Sequence, residues 1–277
     1  MTIDKIIELA LIEDIQDGDH TSLATIPENA KGKAKLLVKE DGILAGVAVA
    51  EKVFKQVDGE TSFTAFMNDG DEIKKGDIVF EVSGSSISIL TAERLALNFM
   101  QRMSGVATAT KKIVKLIEGT GTRILDTRKT TPNLRLLEKE AVKLGGGENH
   151  RMGLYDMIMI KDNHVDFAGG ISQAIDATTN YLNEKDKDLQ IEIEVRNFDE
   201  LQQVLDHGGV NRIMLDNFTP DELKKAVKII DKKYETEASG GITIDTIREY
   251  AETGVDFISV GALTHHIKSL DLSLKAV

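Results

Sequence analysis

Basic and acidic residues recur along the chain where short apolar segments end. They are Asp126, Arg128 and Lys129 after RIL, Lys161 after MIMI, Glu194 in IEIEV, and Asp216 after RIML. Guanidinium forks bind carboxylates and phosphates, and ammonium groups act as point charges, so the bases suit a substrate with several anionic groups. The two carboxylates Glu194 and Asp216 suit Mg²⁺ bridging pyrophosphate oxygens. An ion pair with a nearby base is the alternative, above all for Glu194.

The chain as a whole is acidic, with 34 Lys and Arg against 46 Asp and Glu and a net charge of -12. Such a surface repels polyanions, so we expect no nucleic-acid partner. Between residues 123 and 161, however, bases outnumber acids. A solvated helix face accounts for Arg135, Lys139 and Lys143. The bases outside that helix require another explanation.

Two glycine-bearing segments, ASGGI and VGALT, follow the last two apolar segments. Their main-chain N–H groups can approach an anion closely, as in the phosphate sites that α/β barrels build after their final strands. Turns also need glycine, so a glycine pair alone is weak support. The late position of both pairs favours phosphate binding.

The periodicity divides the chain into two parts. Residues 33–90 alternate Val- and Ile-rich runs with turn signals, and we expect helices at residues 4–14 and around TAERLALNFMQRMSG, which together predict an α+β domain. After residue 105, six short strands alternate with helices, which predicts parallel strands in a barrel or an open sheet. Charged residues at the strand ends favour the barrel.

Two helix starts are specified by the sequence. In TPNLRLLEKEAVKLGGG, Thr131 is the expected N-cap and Pro132 the first helical residue, with the glycines ending the helix. In TPDELKKAVKIID, Thr219 and Glu222 form an expected capping box.

The composition limits the class of protein and the chemistry that the chain can carry out. Hydrophobic residues make up 41% and charged residues 29% of the 277, which is typical of a folded globular protein. The absence of cysteine excludes disulfides, thiolate metal sites and a cysteine nucleophile. We see no secretory signal and no apolar stretch long enough to span a bilayer, so we expect a cytoplasmic protein without a membrane partner.

The segments ERLALNFMQRMSGVATAT, DTRKTTPNLRLLEKEAVKLGGGENHRMGLYDMIMIKDNH, IEIEV, IMLDNF, EASGGI and DFISVGALTH together resemble the quinolinate phosphoribosyltransferase family. The resemblance runs from LIEDIQDGDHTS to LTHHIKSLDLSL, nearly the whole chain. It departs from the family pattern at Asn133, where Gly is common, and at Arg196, where an acidic or neutral residue is common.

The resemblance implies an α/β protein: an N-terminal α+β sandwich-like domain, residues 1–104, followed by an incomplete parallel α/β barrel, residues 105–265. Residues 266–277 would pack back on the first domain. It further implies a homodimer, or a larger oligomer built from it, that is active in NAD biosynthesis. Quinolinate and phosphoribosyl pyrophosphate would react, with Mg²⁺, to nicotinate mononucleotide, pyrophosphate and CO₂.

Site residues carry over by motif. Those expected around the quinolinate carboxylates are Arg94, Arg128, His150, Arg151 and Lys161, assisted by Thr127. Those expected at phosphoribosyl pyrophosphate and Mg²⁺ are Lys129, Glu194 and Asp216; with Lys161 they form the expected catalytic group. Those expected at the 5'-phosphate are Ser239, Gly240, Gly241, Gly261 and Ala262, with Val260 also among the substrate-binding residues. A purely structural role is the alternative for His150.

Three other functions compete. Lys161 could form a Schiff base in a barrel lyase. NDGDEIKKGDIVFEV resembles part of a biotinyl or lipoyl carrier domain, but the modified lysine is not in its usual setting. A molybdenum-system protein of the same fold is the nearest alternative.

Overall fold

The computed structural model describes all 277 residues, which form two compact units. Residues 1–112, 129–147 and 262–277 make up the first, here called the sheet unit. Residues 113–128 and 148–261 make up the second, the barrel unit.

The sheet unit is built on antiparallel strands. They are β1 (Lys31–Val38), β2 (Gly42–Ile43), β3 (Ser62–Ala65), β4 (Glu72–Ile73), β5 (Ile78–Ser85) and β12 (Leu272–Ala276). Four pair in the order β12-β1-β5-β3, and β2 pairs with β4. Along β1, Ala34, Leu36 and Val38 are buried, the alternation expected of a sheet with one covered face. The C-terminal strand thus pairs with an N-terminal one, Leu274 opposite Leu36.

The helices that begin in the sheet unit are α1 (Ile3–Ile15), α2 (His20–Thr25), α3 (Val47–Val57), α4 (Ser86–Leu116), α5 (Arg135–Leu144) and α11 (Ala262–His265). The predicted helices around residues 4–14 and 91–105 are present, the second as part of the 31-residue α4. Helix α3 has no counterpart in the sequence analysis. Its buried Val and Ala residues occur in a region where turn signals and β-branched residues favoured strands.

The predicted start of α5 was wrong. Leu134, not Thr131, is its N-cap, and Pro132 lies before the helix in a turn. The cause is Asn133, whose φ of 65° is left-handed and cannot continue a right-handed helix. Asn tolerates this conformation better than other non-glycine residues, which explains why it can occupy this position.

The solvated face predicted for α5 was wrong at Lys139, which is 1% exposed. Glu138, beside it, is fully buried. The buried face is therefore wider than the Leu and Ala stripe, and it carries one charge of each sign. Lys143 does face solvent, where it pairs with Glu140.

The barrel unit contains six parallel strands. They are β6 (Arg123–Leu125), β7 (Ile158–Ile160), β8 (Ile191–Val195), β9 (Arg212–Asp216), β10 (Glu235–Ser239) and β11 (Phe257–Ser259). Their order is β6-β11-β10-β9-β8-β7, with every pair parallel. Because β6 and β7 are the ends of this order, the barrel is open between them, which confirms the predicted incomplete α/β barrel.

The barrel helices are α6 (Asp162–Ala168), α7 (Ile171–Lys185), α8 (Phe198–His207), α9 (Pro220–Ile230) and α10 (Ile247–Ala251). Helix α9 begins with the predicted capping box of Thr219 and Glu222. None of the helices of the protein combines the length and apolarity that a membrane span requires. All six strands coincide with the predicted ones, so their carboxyl ends lie along one edge of the sheet.

Candidate active site

Two guanidiniums of the barrel unit lie close enough to repel each other. Arg128 follows β6 and is exposed, whereas Arg151 follows the buried His150 and is partly covered. Burial lowers the pKa of Arg151, and the charge of Arg128 lowers it further. An anion that contacts both groups would relieve this repulsion, so the pair is suited to a ligand with carboxylates or phosphates.

The segment carrying Arg151 is fixed through the buried carboxylate of Asp126. One Asp126 oxygen accepts the main-chain N–H of His150 at 2.9 Å, and the other accepts the side-chain amide of Asn149 at 2.5 Å. The Arg151 guanidinium itself donates to the carbonyl oxygen of Met157 at 3.2 Å. These bonds fix the main chain next to Arg151 and the direction of its guanidinium.

The imidazole of His150 lies in the interior of the barrel unit. Its Nδ1 accepts the main-chain N–H of Arg151 at 2.7 Å. Its Nε2 lies 2.9 Å from a carboxylate oxygen of Glu192 and 3.5 Å from one of Glu237. Both glutamates are fully buried. The structure therefore engages both ring nitrogens of His150 with protein groups.

The Nδ1 contact decides the protonation state of His150. Burial lowers the pKa of His150, but Glu192 and Glu237 outweigh burial and raise it to about 9. A doubly protonated ring would, however, point an N–H at the N–H of Arg151, so the 2.7 Å contact requires a neutral ring with its proton on Nε2. The further proton that this cluster attracts belongs on Glu192, whose pKa burial and the charge of Glu237 raise to about 7.

His150, Glu192 and Glu237 also have the residue types of a metal site, with ligand atoms within 4.8 Å of one another. Arg212 argues against a cation there, because it already brings a positive charge to 3.4 Å from Glu237 and 3.9 Å from Glu192. We therefore interpret the three residues, together with Arg212, as a buried charge cluster.

A second ion pair joins the ends of β7 and β8. The ammonium nitrogen of Lys161 lies 3.0 Å from a carboxylate oxygen of Glu194. Lys161 is the N-cap of α6, and its main-chain N–H donates to His164 Nδ1 at 2.9 Å, which fixes its backbone. The ion pair considered in the sequence analysis as the alternative role of Glu194 is thus present.

The charge of Glu194 also affects the pKa of Asp216, at the end of the neighbouring strand β9. Burial raises the pKa of Asp216, and the charge of Glu194 raises it further, against a hydrogen bond from Ser239. Two strand-end carboxylates that repel each other fit Mg²⁺, which prefers oxygen ligands and would offset both charges. Glu194 and Asp216 are therefore the residues that would hold this ion.

Arg196 adds little charge to this part of the site. Its guanidinium bonds to Asp166 at 3.1 Å and to Glu200 at 2.6 Å. Both carboxylates raise its pKa. The positive charge is thereby neutralised locally, and Arg196 links α6 to the segment after β8.

The loop after β10 needs glycine for a steric reason. Gly240 has a φ of +92°, and a Cβ there would lie 2.9 Å from the main-chain nitrogen of Asn217 and still closer to its side-chain amide. The N–H of Asn217 donates to the carbonyl of Ser239 at 2.8 Å, which holds the two loops together. The loops after β10 and β11, including Gly241, Val260 and Gly261, leave the same edge of the sheet because these strands are parallel neighbours.

Three further predicted site residues, Arg94, Lys129 and Ala262, lie in the sheet unit. Arg94 and Lys129 are exposed, on α4 and in the segment before α5, and Ala262 begins α11. Thr264 donates to the carbonyl oxygen of Lys129 at 2.8 Å. Thr127 belongs to the barrel unit with Arg128.

An ion pair between the partly exposed Arg102 and the buried Glu138 supports the segment around Lys129 in the sheet unit. The Arg102 guanidinium donates to Glu138 at 2.8 Å and to the carbonyl oxygen of Thr264. The other oxygen of Glu138 accepts the main-chain N–H of Thr131 at 3.0 Å. One carboxylate therefore connects α4, α5 and the loop between Lys129 and Thr131.

Five of these residues were not predicted from the sequence: Glu192, Glu237, Arg212, Arg102 and Glu138. A signal for the first two was present, because they stand inside the strands IEIEV and ETEAS. Parallel strands covered on both faces are almost wholly apolar, so a carboxylate within one requires an internal partner.

An incomplete barrel whose bases, carboxylates and glycine loops lie at the carboxyl ends of its strands is the architecture of an α/β-barrel enzyme. The chain matches the model of the quinolinate phosphoribosyl transferase C-terminal domain over residues 106–275 and that of the N-terminal domain over residues 19–104. It belongs to the quinolinate phosphoribosyl transferase family, which confirms the resemblance.

The names of similar proteins agree with this assignment. The chain is 45% identical to a mitochondrial quinolinate phosphoribosyltransferase [decarboxylating] of Nicotiana tabacum, over 98% of the chain and 81% of that protein. It is 39% identical to a probable nicotinate-nucleotide pyrophosphorylase [carboxylating] of Bacillus subtilis, over 99% of the chain and 93% of that protein. The nicotinate-nucleotide pyrophosphorylase structure from Francisella tularensis superposes with a TM-score of 0.92 at 42% identity, covering 99% of this chain and 96% of that one.

Proposed function

We propose that this enzyme transfers the phosphoribosyl group of phosphoribosyl pyrophosphate to quinolinate and releases pyrophosphate and CO₂, forming nicotinate mononucleotide. The main support for this reaction, beyond membership of the family, is the guanidinium pair of Arg128 and Arg151. Quinolinate has two adjacent carboxylates, and a bidentate fork can engage each.

Binding places the pyridine nitrogen for attack on the anomeric carbon. Arg128, Arg151 and Lys161 orient the carboxylates, with Arg94 and Thr127 as further contacts. The loops containing Ser239, Gly240, Gly241, Gly261 and Ala262 hold the 5'-phosphate through main-chain N–H groups. Lys129 supplies a point charge to the pyrophosphate.

In the first step the nitrogen lone pair forms the bond to the anomeric carbon while the bond to pyrophosphate breaks. The ribose passes through an oxocarbenium-like state, whose positive charge the carboxylates of Glu194 and Asp216 stabilise. The same two residues would hold Mg²⁺, which would supply charge neutralisation for the departing pyrophosphate.

In the second step the bond from the ring to the 2-carboxylate breaks and CO₂ leaves. The electron pair stays on the ring carbon beside the positive nitrogen, which stabilises it, and that carbon then takes a proton. The pyridinium formed in the first step thus serves as the electron sink, so no Schiff base is required. Lys161 as a Schiff-base amine is also disfavoured because its nitrogen is held by Glu194 at 3.0 Å.

Turnover of quinolinate labelled with ¹³C in its 2-carboxylate tests the proposal. We expect labelled CO₂ and pyrophosphate in equal amounts and no turnover of nicotinate. Nicotinate lacks the 2-carboxylate, so one of the two guanidiniums would lose its anionic partner and the pyridine ring would lose a contact that orients it for attack. Nucleotide that retains the label, or comparable turnover of nicotinate, would contradict the proposal and favour the molybdenum-system alternative.

We further propose a cytoplasmic homodimer in which Arg94 completes the partner's site. Arg94 supports this because it lies exposed on a helix of the sheet unit. The net charge of -12 argues against nucleic acid as a partner, whereas the local excess of bases between residues 123 and 161 supports small anionic substrates.

A further inference from the structure

The buried charge cluster of His150, Glu192, Arg212 and Glu237 has no role in the chemistry described above, yet it lies directly beneath the residues that do. Side chains two residues apart on a strand point to the same face. Glu192 therefore lies one layer below Glu194 on β8, and Glu237 one layer below Ser239 on β10. Burying two carboxylates there is costly unless they are paired.

Glu237 connects three groups from different parts of the barrel unit. Its carboxylate lies 3.5 Å from His150 Nε2 and 3.4 Å from the Arg212 guanidinium, and it accepts a hydrogen bond from Ser259. Arg212 is itself fixed, since it donates to Glu235 at 2.9 Å and stacks on the ring of Phe257 at 4.1 Å. The cluster is thus a rigid layer that spans β8 to β11.

His150 transmits this rigidity to Arg151. The His150 Nε2 lies 2.9 Å from Glu192 and 3.5 Å from Glu237, and its Nδ1 accepts the Arg151 N–H at 2.7 Å. Asp126 accepts the main-chain N–H of His150 directly. The next N–H, that of Arg151, is held by the His150 ring, which in turn contacts Glu192 and Glu237. Two consecutive peptide groups are therefore fixed by buried carboxylates. The Arg151 side chain leaves the backbone at that anchored point.

We propose that Glu237 is a positioning residue for the substrate: through His150 it sets the main chain of Arg151, and so the distance between the Arg151 and Arg128 guanidiniums. This inference rests on the proposed function, because the pair is assigned there to the carboxylates of quinolinate. It predicts that a change at Glu237, which contacts no substrate, acts on quinolinate and not on phosphoribosyl pyrophosphate.

Glu237→Gln tests the proposal, and Glu235→Gln is its matched control. Both residues lie on β10 and contact Arg212, but only Glu237 contacts His150. We expect Glu237→Gln to raise the KM for quinolinate about tenfold or more, because small misplacements of a binding group are costly, with a far smaller change for phosphoribosyl pyrophosphate. Glu235→Gln should change neither. Equal effects on both substrates, equal effects of both variants, or a lower Tm with an unchanged quinolinate KM would overturn the proposal.

A second readout needs no substrate. In the ¹⁵N-labelled wild-type protein, the His150 ring should show the neutral form with its proton on Nε2, and that signal should shift in Glu237→Gln but not in Glu235→Gln. An imidazolium signal, or one that Glu237→Gln leaves in place, would overturn the positioning role. Absence of quinolinate turnover by the wild type, with the expected ring signals present, would instead refute the proposed function alone.

If Glu237→Gln does not fold, Glu237→Asp takes its place, since the shorter side chain withdraws the carboxylate from His150 and keeps the charge. It should raise the KM for quinolinate selectively, as above. A KM increase shared equally by both substrates would contradict the proposal.

Discussion

The Lys161 ammonium and the Glu194 carboxylate lie 3.0 Å apart, which joins the end of β7 to the end of β8 across neighbouring strands. Glu194 is 8% exposed, so its charge is felt through protein more than through water. The same carboxylate raises the pKa of Asp216. Glu194 therefore has two partners of opposite kind, a base that it holds and an acid that it repels.

Glu194→Gln should separate chemistry from binding. The amide keeps the shape of the side chain but removes the charge that stabilises the oxocarbenium-like state, so we expect kcat to fall about 100-fold. Quinolinate affinity, measured by calorimetry without the second substrate, should change much less. Glu184→Gln on the exposed surface of α7 is the control. Loss of quinolinate affinity with kcat unchanged would assign Glu194 to holding Lys161 alone.

Gly240→Ala should destabilise the protein more than Gly241→Ala. Both glycines have positive φ, +92° and +65°, so both substitutions strain the backbone. Only at residue 240 would the new Cβ also meet Asn217, and this overpacking should cost about 1–3 kcal/mol more.

Urea denaturation of the two variants measures that difference. Asn217→Ala in the Gly240→Ala background should recover part of the loss, because the Asn217 amide is the nearest group. Equal stabilities of the two glycine variants would show that the loop relaxes.

Most of the strands and the edge that carries the charged residues were predictable. Short apolar segments alternating with helices specify parallel strands, and each of Lys161, Glu194, Asp216 and Ser239 lies at the predicted strand end. The helix start at Thr219 was predictable because its capping box is local in sequence. These features depend on residues within a few positions of one another.

What the sequence did not predict depends on distant partners. The start of α5 is set by the left-handed backbone of Asn133, which the neighbouring Thr-Pro signal concealed. Lys139 and Glu138 are buried only because tertiary packing covers a wide face of α5. Glu192 and Glu237 meet His150 from separate strands, and no local spacing encodes that contact.

Glu138→Gln should weaken the handling of phosphoribosyl pyrophosphate through Lys129. Glu138 holds the N–H of Thr131 and the guanidinium of Arg102, so a neutral amide loosens the segment that carries Lys129. We expect the free energy of unfolding to fall by about 1–3 kcal/mol. Relative to wild type, the KM for phosphoribosyl pyrophosphate should increase more than the KM for quinolinate.

Glu140→Gln is the matched control for that change, since Glu140 lies on the same helix but is exposed. Lys129→Ala should show the same substrate preference, and Arg128→Ala the opposite one, because a guanidinium fork suits carboxylate. Identical KM changes for both substrates in Glu138→Gln would show that the ion pair supports only the fold.

Mixing two inactive variants should restore activity if Arg94 serves the partner's site. In an Arg94→Ala chain Lys129 is intact, and in a Lys129→Ala chain Arg94 is intact. Each homodimer then lacks one of the two residues at both sites, whereas the mixed dimer regains both at one site. The variants are unfolded together, refolded together and assayed against each variant refolded alone. Recovery after mixing supports a shared site, with wild type refolded in the same way as the control for yield. A mixture no more active than its components, although mixed dimers are detected by mass, would place Arg94 in the site of its own chain.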